Sequence, residues 1–202
     1  FCSDNGPEGR DGLSGRNRGS TGALRGRKRS LFNGGVMVPA LVQWPAAVQP
    51  GAVVTAPCST LDYLPTILAG MDAPLPTGRI LDGVNLLPLL RGETTERGRP
   101  IPYRFLDGRE GMFGSPTFAL LDDRFKYFTN FTEDRSEDLL FDVQADPYEQ
   151  YNVLGAHPDR ANEARKRLRT FLDSCRESHH GAEYDEPYEP INAFQDVTGG
   201  WA

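Results

Sequence analysis

The 202-residue sequence predicts a mixed α/β chain, with an α/β part over residues 1–99, a small four-stranded antiparallel sheet with one packed helix over 100–180, and an acidic tail over 181–202. Two observations predict the second part. Four short runs at 101–106, 116–121, 125–131 and 138–143 are aromatic or branched and are separated by turn residues, the pattern of an antiparallel sheet. One later stretch, 158–176, repeats Ala161, Ala164, Leu168, Phe171, Leu172 and Cys175 at helical spacing, enough to cover one face of such a sheet. A third observation marks off the first part. Its glycines crowd into residues 6–35 without a clear period, which reads as one long loop.

Taken in order, FCSDNG at the start reads as the end of a strand meeting a turn, which predicts that the chain is the C-terminal part of something longer. GVMVPALVQWP at 35–45 is apolar and β-branched, and predicts a buried or edge strand near 36–43, broken at Trp44-Pro45. Ser59 or Thr60 can cap a helix over 61–70, with Pro65 in its first turns and Gly70 at its stop. LLPLLRG at 86–92 predicts a short helical turn. Asp122-Asp123 fits a tight hairpin between the second and third strands. Asp159 stands near the start of the last helix. The tail looks extended, with Phe194 and Trp201 as candidate anchors.

Composition narrows function. Lys+Arg is 22 against 28 Asp+Glu, a net charge of −6, too acidic for a general nucleic-acid binder. No apolar run approaches the roughly 20 residues of a membrane span. Three widely spaced cysteines make neither a disulfide scaffold nor a zinc ribbon. Within this acidic chain, residues 1–34 hold seven basic and three acidic residues, whereas 181–202 hold five acids and no Lys or Arg.

A few residue sets could carry chemistry. Asp4-Asn5-Gly6 offers two hard oxygen donors of the kind calcium and magnesium take, although on spacing alone a plain turn is the better reading. Arg25, Arg27, Lys28 and Arg29 form a local positive field that suits a phosphate or sulfate, or simply a solvated loop. It is no Walker loop, because no Gly-Lys-Ser/Thr follows the glycines. His157, His179 and His180 read as surface residues, and no Gly-x-Ser-x-Gly elbow occurs. Asn130-Phe131-Thr132 has the form of a glycosylation acceptor.

Five segments in order resemble the C-terminal portion of the sulfatase family, arylsulfatase type, of the alkaline-phosphatase-like superfamily. They are Ser3-Asp4-Asn5-Gly6-Pro7-Glu8; Lys28 with Asn33-Gly34-Gly35 and the run to Pro45; Leu61-Asp62-Tyr63-Leu64-Pro65-Thr66; Leu81-Asp82-Gly83 through Leu90; and Leu140-Phe141-Asp142 through Leu154. The resemblance implies a metal-dependent hydrolase of sulfate esters. Asp4 and Asn5 would be two oxygen ligands of a Ca2+ ion, and Lys28 would contact the sulfate. The formylglycine nucleophile of the family arises in a Cys/Ser-x-Pro/Ala-x-Arg motif, which none of these cysteines or serines matches, so it is expected upstream and this chain alone is expected to be inactive. The implied partner is a sulfate-ester substrate, and the Arg-rich loop suggests a sulfated polysaccharide. No nucleic acid or membrane partner is expected, and the missing N-terminal catalytic segment is. Resemblance alone carries the localisation: periplasm, lysosome or outside the cell. Two other readings stand beside it. One is a phosphodiesterase or phosphonate hydrolase of the same superfamily; the other is a non-catalytic module binding a polyanion through the basic loop. The sequence departs from the family pattern at Asn33, where a Glu is usual.

Overall fold

The computed structural model describes residues 1–8, 19–105 and 115–184. Residues 9–18 of the Gly-rich stretch and residues 185–202 of the acidic tail, with Phe194 and Trp201, lie outside the described residues. The elements are α1 (Asn33–Val36), α2 (Tyr63–Gly70), α3 (Leu87–Leu90), β1 (Ile101–Arg104), β2 (Phe118–Leu121), β3 (Phe125–Thr129), β4 (Leu139–Asp142) and α4 (Pro158–His179).

The four strands form an antiparallel meander in the order β1-β2-β3-β4. Asp122 makes the β2–β3 hairpin, as the sequence predicts: its amide donates to Phe125 O at 2.9 Å, and its Oδ1 accepts from the amides of Arg124 and Phe125. Every residue of β3 is buried, because both faces of the sheet are covered. Side chains alternate along a strand. Phe125 and Tyr127 therefore face α4 with Leu140 and Ala161, and Phe118 and Leu120 meet Leu168 there. Phe128 faces the other way, into a cluster with Ala119, Phe141, Leu31 and Phe32. The helix on one face was legible in the sequence; the loop that covers the opposite face with Phe32 was not.

Helix α4 starts at Pro158, where a missing N–H costs nothing, with Asp159 in the first turn and Arg176 in the last, charges that complement the helix dipole. Arg165 reaches from α4 to Asp138 and Thr129 on the sheet side, and Tyr127 Oη donates to Asp138 Oδ2 at 2.6 Å.

The expected strand at 36–43 does not form. Ala40 makes one isolated antiparallel bridge with Cys2, and Leu41 N–H donates to Phe1 O at 2.8 Å. Val36 belongs to α1, Pro39 has no amide to give a ladder, and Met37, Leu41 and Val42 stand exposed. The run is apolar, but the pairing that would make it a strand is absent among the described residues.

The two central motifs of the chain are fastened to each other. Ser59 and Asp62 form a reciprocal cap ahead of α2. Asp62 is fully buried, accepting from Ser59 N and Val84 N at 2.8 Å and from Arg97 Nε and Nη2 at 3.0 and 2.6 Å. Thr66 Oγ1 accepts from Leu86 N at 2.9 Å. A Cβ on Gly83 would sit 2.0 Å from Leu61 O. Leu61–Thr66 and Leu81–Leu90 thus form one structural knot.

Candidate functional site

Two segments distant in sequence press together ahead of this knot. Gly6 N–H donates to Gly35 O at 2.8 Å, and Lys28 N–H donates to Pro7 O at 3.1 Å. Glycine permits the approach. A Cβ on Gly6 would lie 1.9 Å from Gly34 O, one on Gly34 2.3 Å from Gly26 O, and one on Gly35 2.0 Å from Ser30 O. Any side chain there would force backbone apart. These glycines are packing residues of a compact junction between the Ser3–Glu8 and Arg25–Gly35 segments.

The junction carries all three candidate residues. Asp4 is exposed and Asn5 half-buried on the bend before Gly6. Ser3 Oγ donates to Asp4 Oδ1 at 3.4 Å, and Asn5 Nδ2 donates to Gly6 O at 3.0 Å. The latter bond uses the amide nitrogen, so the Asn5 oxygen remains a hard donor beside the Asp4 carboxylate. This donor chemistry fits a calcium-like cation, which takes about six to eight oxygens. Asp4 and Asn5 would supply two, and no group of three or more His, Cys, Asp or Glu that could hold a metal occurs among the described residues.

Lys28 is partly exposed, with Nζ 3.7 Å from Glu8 Oε2; the other oxygen of Glu8 accepts from Arg29 Nη1. Arg29 is left-handed, with φ of 73°. Arg25 is spent on structure: its guanidinium lies 3.8 Å over the Phe32 ring, and Nη1 donates to Glu149 O at 3.0 Å. The basic cluster is therefore not a uniform field offered to solvent.

Beneath the junction lies a buried polar group. Lys126 Nζ is 3.0 Å from Glu149 Oε1 and donates to Asn33 Oδ1 at 2.9 Å. Asn33 N–H donates to Glu149 Oε2 at 2.6 Å, and Asn33 Nδ2 donates to Pro147 O at 2.9 Å. Burial pushes the Lys126 ammonium below its ordinary pKa and the Glu149 carboxyl above its own; each partner only partly offsets that. Sequence reasoning singled out Asn33 and took Glu149 only as part of the Leu140–Leu154 family motif; it missed Lys126 and the pairing of the two. A lysine inside FKYFTNF was the available signal, because that run has no other charge.

The remaining candidates resolve into structure. His157 is exposed and stacks near Phe125, with ring centroids 5.2 Å apart. All three cysteines are free thiols. Asn130 Oδ1 accepts from the amide and hydroxyl of Thr117, tying it to the approach to β2.

The fold, the glycine junction and the ordered motifs define a class. A family model described as N-sulphoglucosamine sulphohydrolase, C-terminal, matches residues 26–178. The chain belongs to the sulfatase family and corresponds to its C-terminal portion. Arylsulfatase A of Bos taurus is 36% identical over 183 residues, covering 81% of this chain and 34% of that protein. Among solved structures, the BT33336S-sulf protein, from work on metabolism of multiple glycosaminoglycans by Bacteroides thetaiotaomicron, aligns with TM-score 0.64 and 27% identity over 85% of this chain and 38% of that one. Ps i-CgsB in complex with k-i-k-neocarrahexaose aligns with TM-score 0.67 and 25% identity over 85% of this chain and 35% of that one. The chain spans less than two fifths of the length of these and the other leading curated relatives. No helix among the described residues is long and apolar enough to cross a membrane.

Proposed function

We propose that this chain is the C-terminal part of a metal-dependent sulfatase, one that hydrolyses sulfate esters of saccharides with a formylglycine supplied from outside these 202 residues. The observation that carries the reading is the glycine junction, which sets Lys28 against the residues directly following Asp4-Asn5. Sulfuryl transfer puts negative charge on the nonbridging oxygens and on the leaving oxygen, and fixed positive groups stabilise it best. Lys28 would act as a point charge on the sulfate oxygens. Asp4 and Asn5 would hold a divalent cation, which when bound supplies Lewis-acid stabilisation of the same charge. Residues 1–99 then close the catalytic domain, and 100–180 form a subdomain that supports it.

The surface supports the same reading. Leu61, Leu64 and Ile67 around α2, with Met37, Leu41 and Val42, are exposed apolar side chains of the kind that another segment covers. We assign that cover to the rest of the catalytic domain, in a protein working in the periplasm, lysosome or extracellular space. A polyanion-binding module fits less well, because Arg25 and Arg29 are already engaged within the chain.

Turnover of an aryl sulfate by the full-length protein tests this. Lys28→Ala and Asp4→Ala are each expected to lower it by about 100-fold or more, as loss of one oxyanion-stabilising group does. The 202-residue chain alone is expected to turn over none. Wild-type rates in either variant, activity of the isolated chain, or a preference for phosphodiesters would overturn it.

A further inference from the structure

We propose that Glu8 is a positioning residue for Lys28, its carboxylate fixing the ammonium in the place where the oxyanion of the substrate arrives. The inference rests on the reading of Lys28 as the sulfate-contacting group. Three features of the junction carry it.

First, Glu8 is the anchored member of the pair: its side chain is 17% exposed, against 39% for Lys28. A lysine left alone at such a position loses side-chain rotamer entropy when a substrate immobilises it. A carboxylate already beside the ammonium takes up part of that cost before binding.

Second, the backbone arranges for one carboxylate to meet two consecutive cations. Neighbouring side chains of an extended chain point to opposite faces. Here Arg29 adopts φ of 73°, a left-handed conformation that is strained for a non-glycine residue. Lys28 and Arg29 both reach Glu8, one at each oxygen. The strain is held by Lys28 N–H on Pro7 O and by the Gly6–Gly35 bond on either side.

Third, the charges are paired. A lone carboxylate beside the substrate would repel a sulfate. Arg29 holds the other oxygen of Glu8, so the substrate meets a carboxylate already paired with cations. Of Glu8, Lys28 and Arg29, the Lys28 side chain is the most exposed.

Kinetics of the full-length protein separate positioning from structure. Glu8→Gln keeps the shape and removes the anchor charge. It is expected to lower kcat about 10-fold or more, since misplacing a reacting group by about 1 Å costs up to 100-fold. KM is expected to hold or fall, because the site becomes more positive. In a Lys28→Ala background the same change is expected to add no further loss, the signature of two residues acting as one. Glu8→Asp should recover part of the rate. Arg29→Met provides a second variant: it removes the guanidinium paired with Glu8 and should lower kcat non-additively with Glu8→Gln. An unchanged kcat in Glu8→Gln, or losses that multiply in the double variant, would overturn the positioning role while leaving Lys28 in place. A harmless Lys28→Ala would instead overturn the sulfate-contact reading, and this inference with it.

Discussion

Replacing Lys126 with Met tests how the junction is held to the sheet. The two side chains have similar length, so the substitution leaves little cavity; what it removes is the cation beside Glu149. Both side chains are 0% exposed, so no water can take its place. Breaking a buried pair by removing one partner costs about 3–5 kcal/mol, because an uncompensated charge is left behind. Glu149 has one escape, which is to take up a proton. Burial already holds its pKa above the ordinary 4.5, and losing Lys126 raises it further. A carboxyl raised in the folded state contributes stability that is fully present below about pH 4.5 and is lost as pH rises through the folded value. The destabilisation should therefore be small near about pH 5 and grow with pH by up to about 1.4 kcal/mol per unit until that folded value is passed. Urea denaturation of the intact wild-type and variant proteins at about pH 5 and about pH 8 reads the difference directly. A loss equal at both pH values, or below about 1 kcal/mol at the higher one, would refute the claim that an isolated buried carboxylate is the cost. Adding Glu149→Gln should recover much of the loss at about pH 8 and little at about pH 5, since it does permanently what the proton does in acid.

Two more outcomes follow from the same structure. Asp62→Ala strands the Arg97 guanidinium, which is 1% exposed, and should cost about 3–5 kcal/mol at neutral pH. Burial pushes the Asp62 carboxyl up, but hydrogen bonds from Arg97, Val84 and Ser59 outweigh it and hold the pKa below 3.8. The stability Asp62 confers is thus present above about 3.8 and lost as pH falls through its folded value, so denaturation curves of wild type and variant should converge in strong acid. Curves that stay equally far apart would contradict this. Gly34→Ala drives a Cβ to within 2.3 Å of Gly26 O and should lower turnover of the full-length protein by about 100-fold, while a melting curve reports whether the sheet is intact. Wild-type kinetics would show that the loop yields without moving Lys28.

What the sequence revealed tracks the range of the interactions involved. The meander, the Asp122 hairpin, the Ser59 cap and α4 rest on neighbours within a few residues, so alternation and helical spacing display them. The strand expected at 36–43 depended on a partner strand, and β-propensity without a partner gives only the single Cys2–Ala40 bridge. Asp4, Asn5 and Lys28 were legible as motif residues, but nothing local shows that Gly6 packs on Gly34 and Gly35. Glu8 was legible only as a motif residue, because its partners lie twenty residues on. The Lys126–Glu149 pairing was missed because a buried ion pair has no periodicity; only the oddity of a charge in an aromatic strand hinted at it.

Asn33 shows why this buried pair bears on the candidate site. The family resemblance leads one to expect Glu at this position, five residues after Lys28. The Asn33 side chain faces the sheet subdomain, accepting from Lys126 and donating to Pro147 O, and its backbone N–H donates to Glu149. A glutamate could replace the first contact but has no donor for the second. It would also put two carboxylates beside one lysine, and like charges in a dry site cannot both stay ionised; the stacked Arg25 offsets only part of that repulsion. An amide is neutral and bifunctional, so it closes the network with one cation and one anion. This departure therefore changes how the loop is fastened to Lys126 and Glu149. Because Gly34 and Gly35 follow Asn33 directly and grip Arg25–Ser30 backbone, whatever holds Asn33 also holds the turn that presents Lys28. On this argument the small sheet, which carries none of the candidate ligands, is what gives the candidate lysine a fixed address.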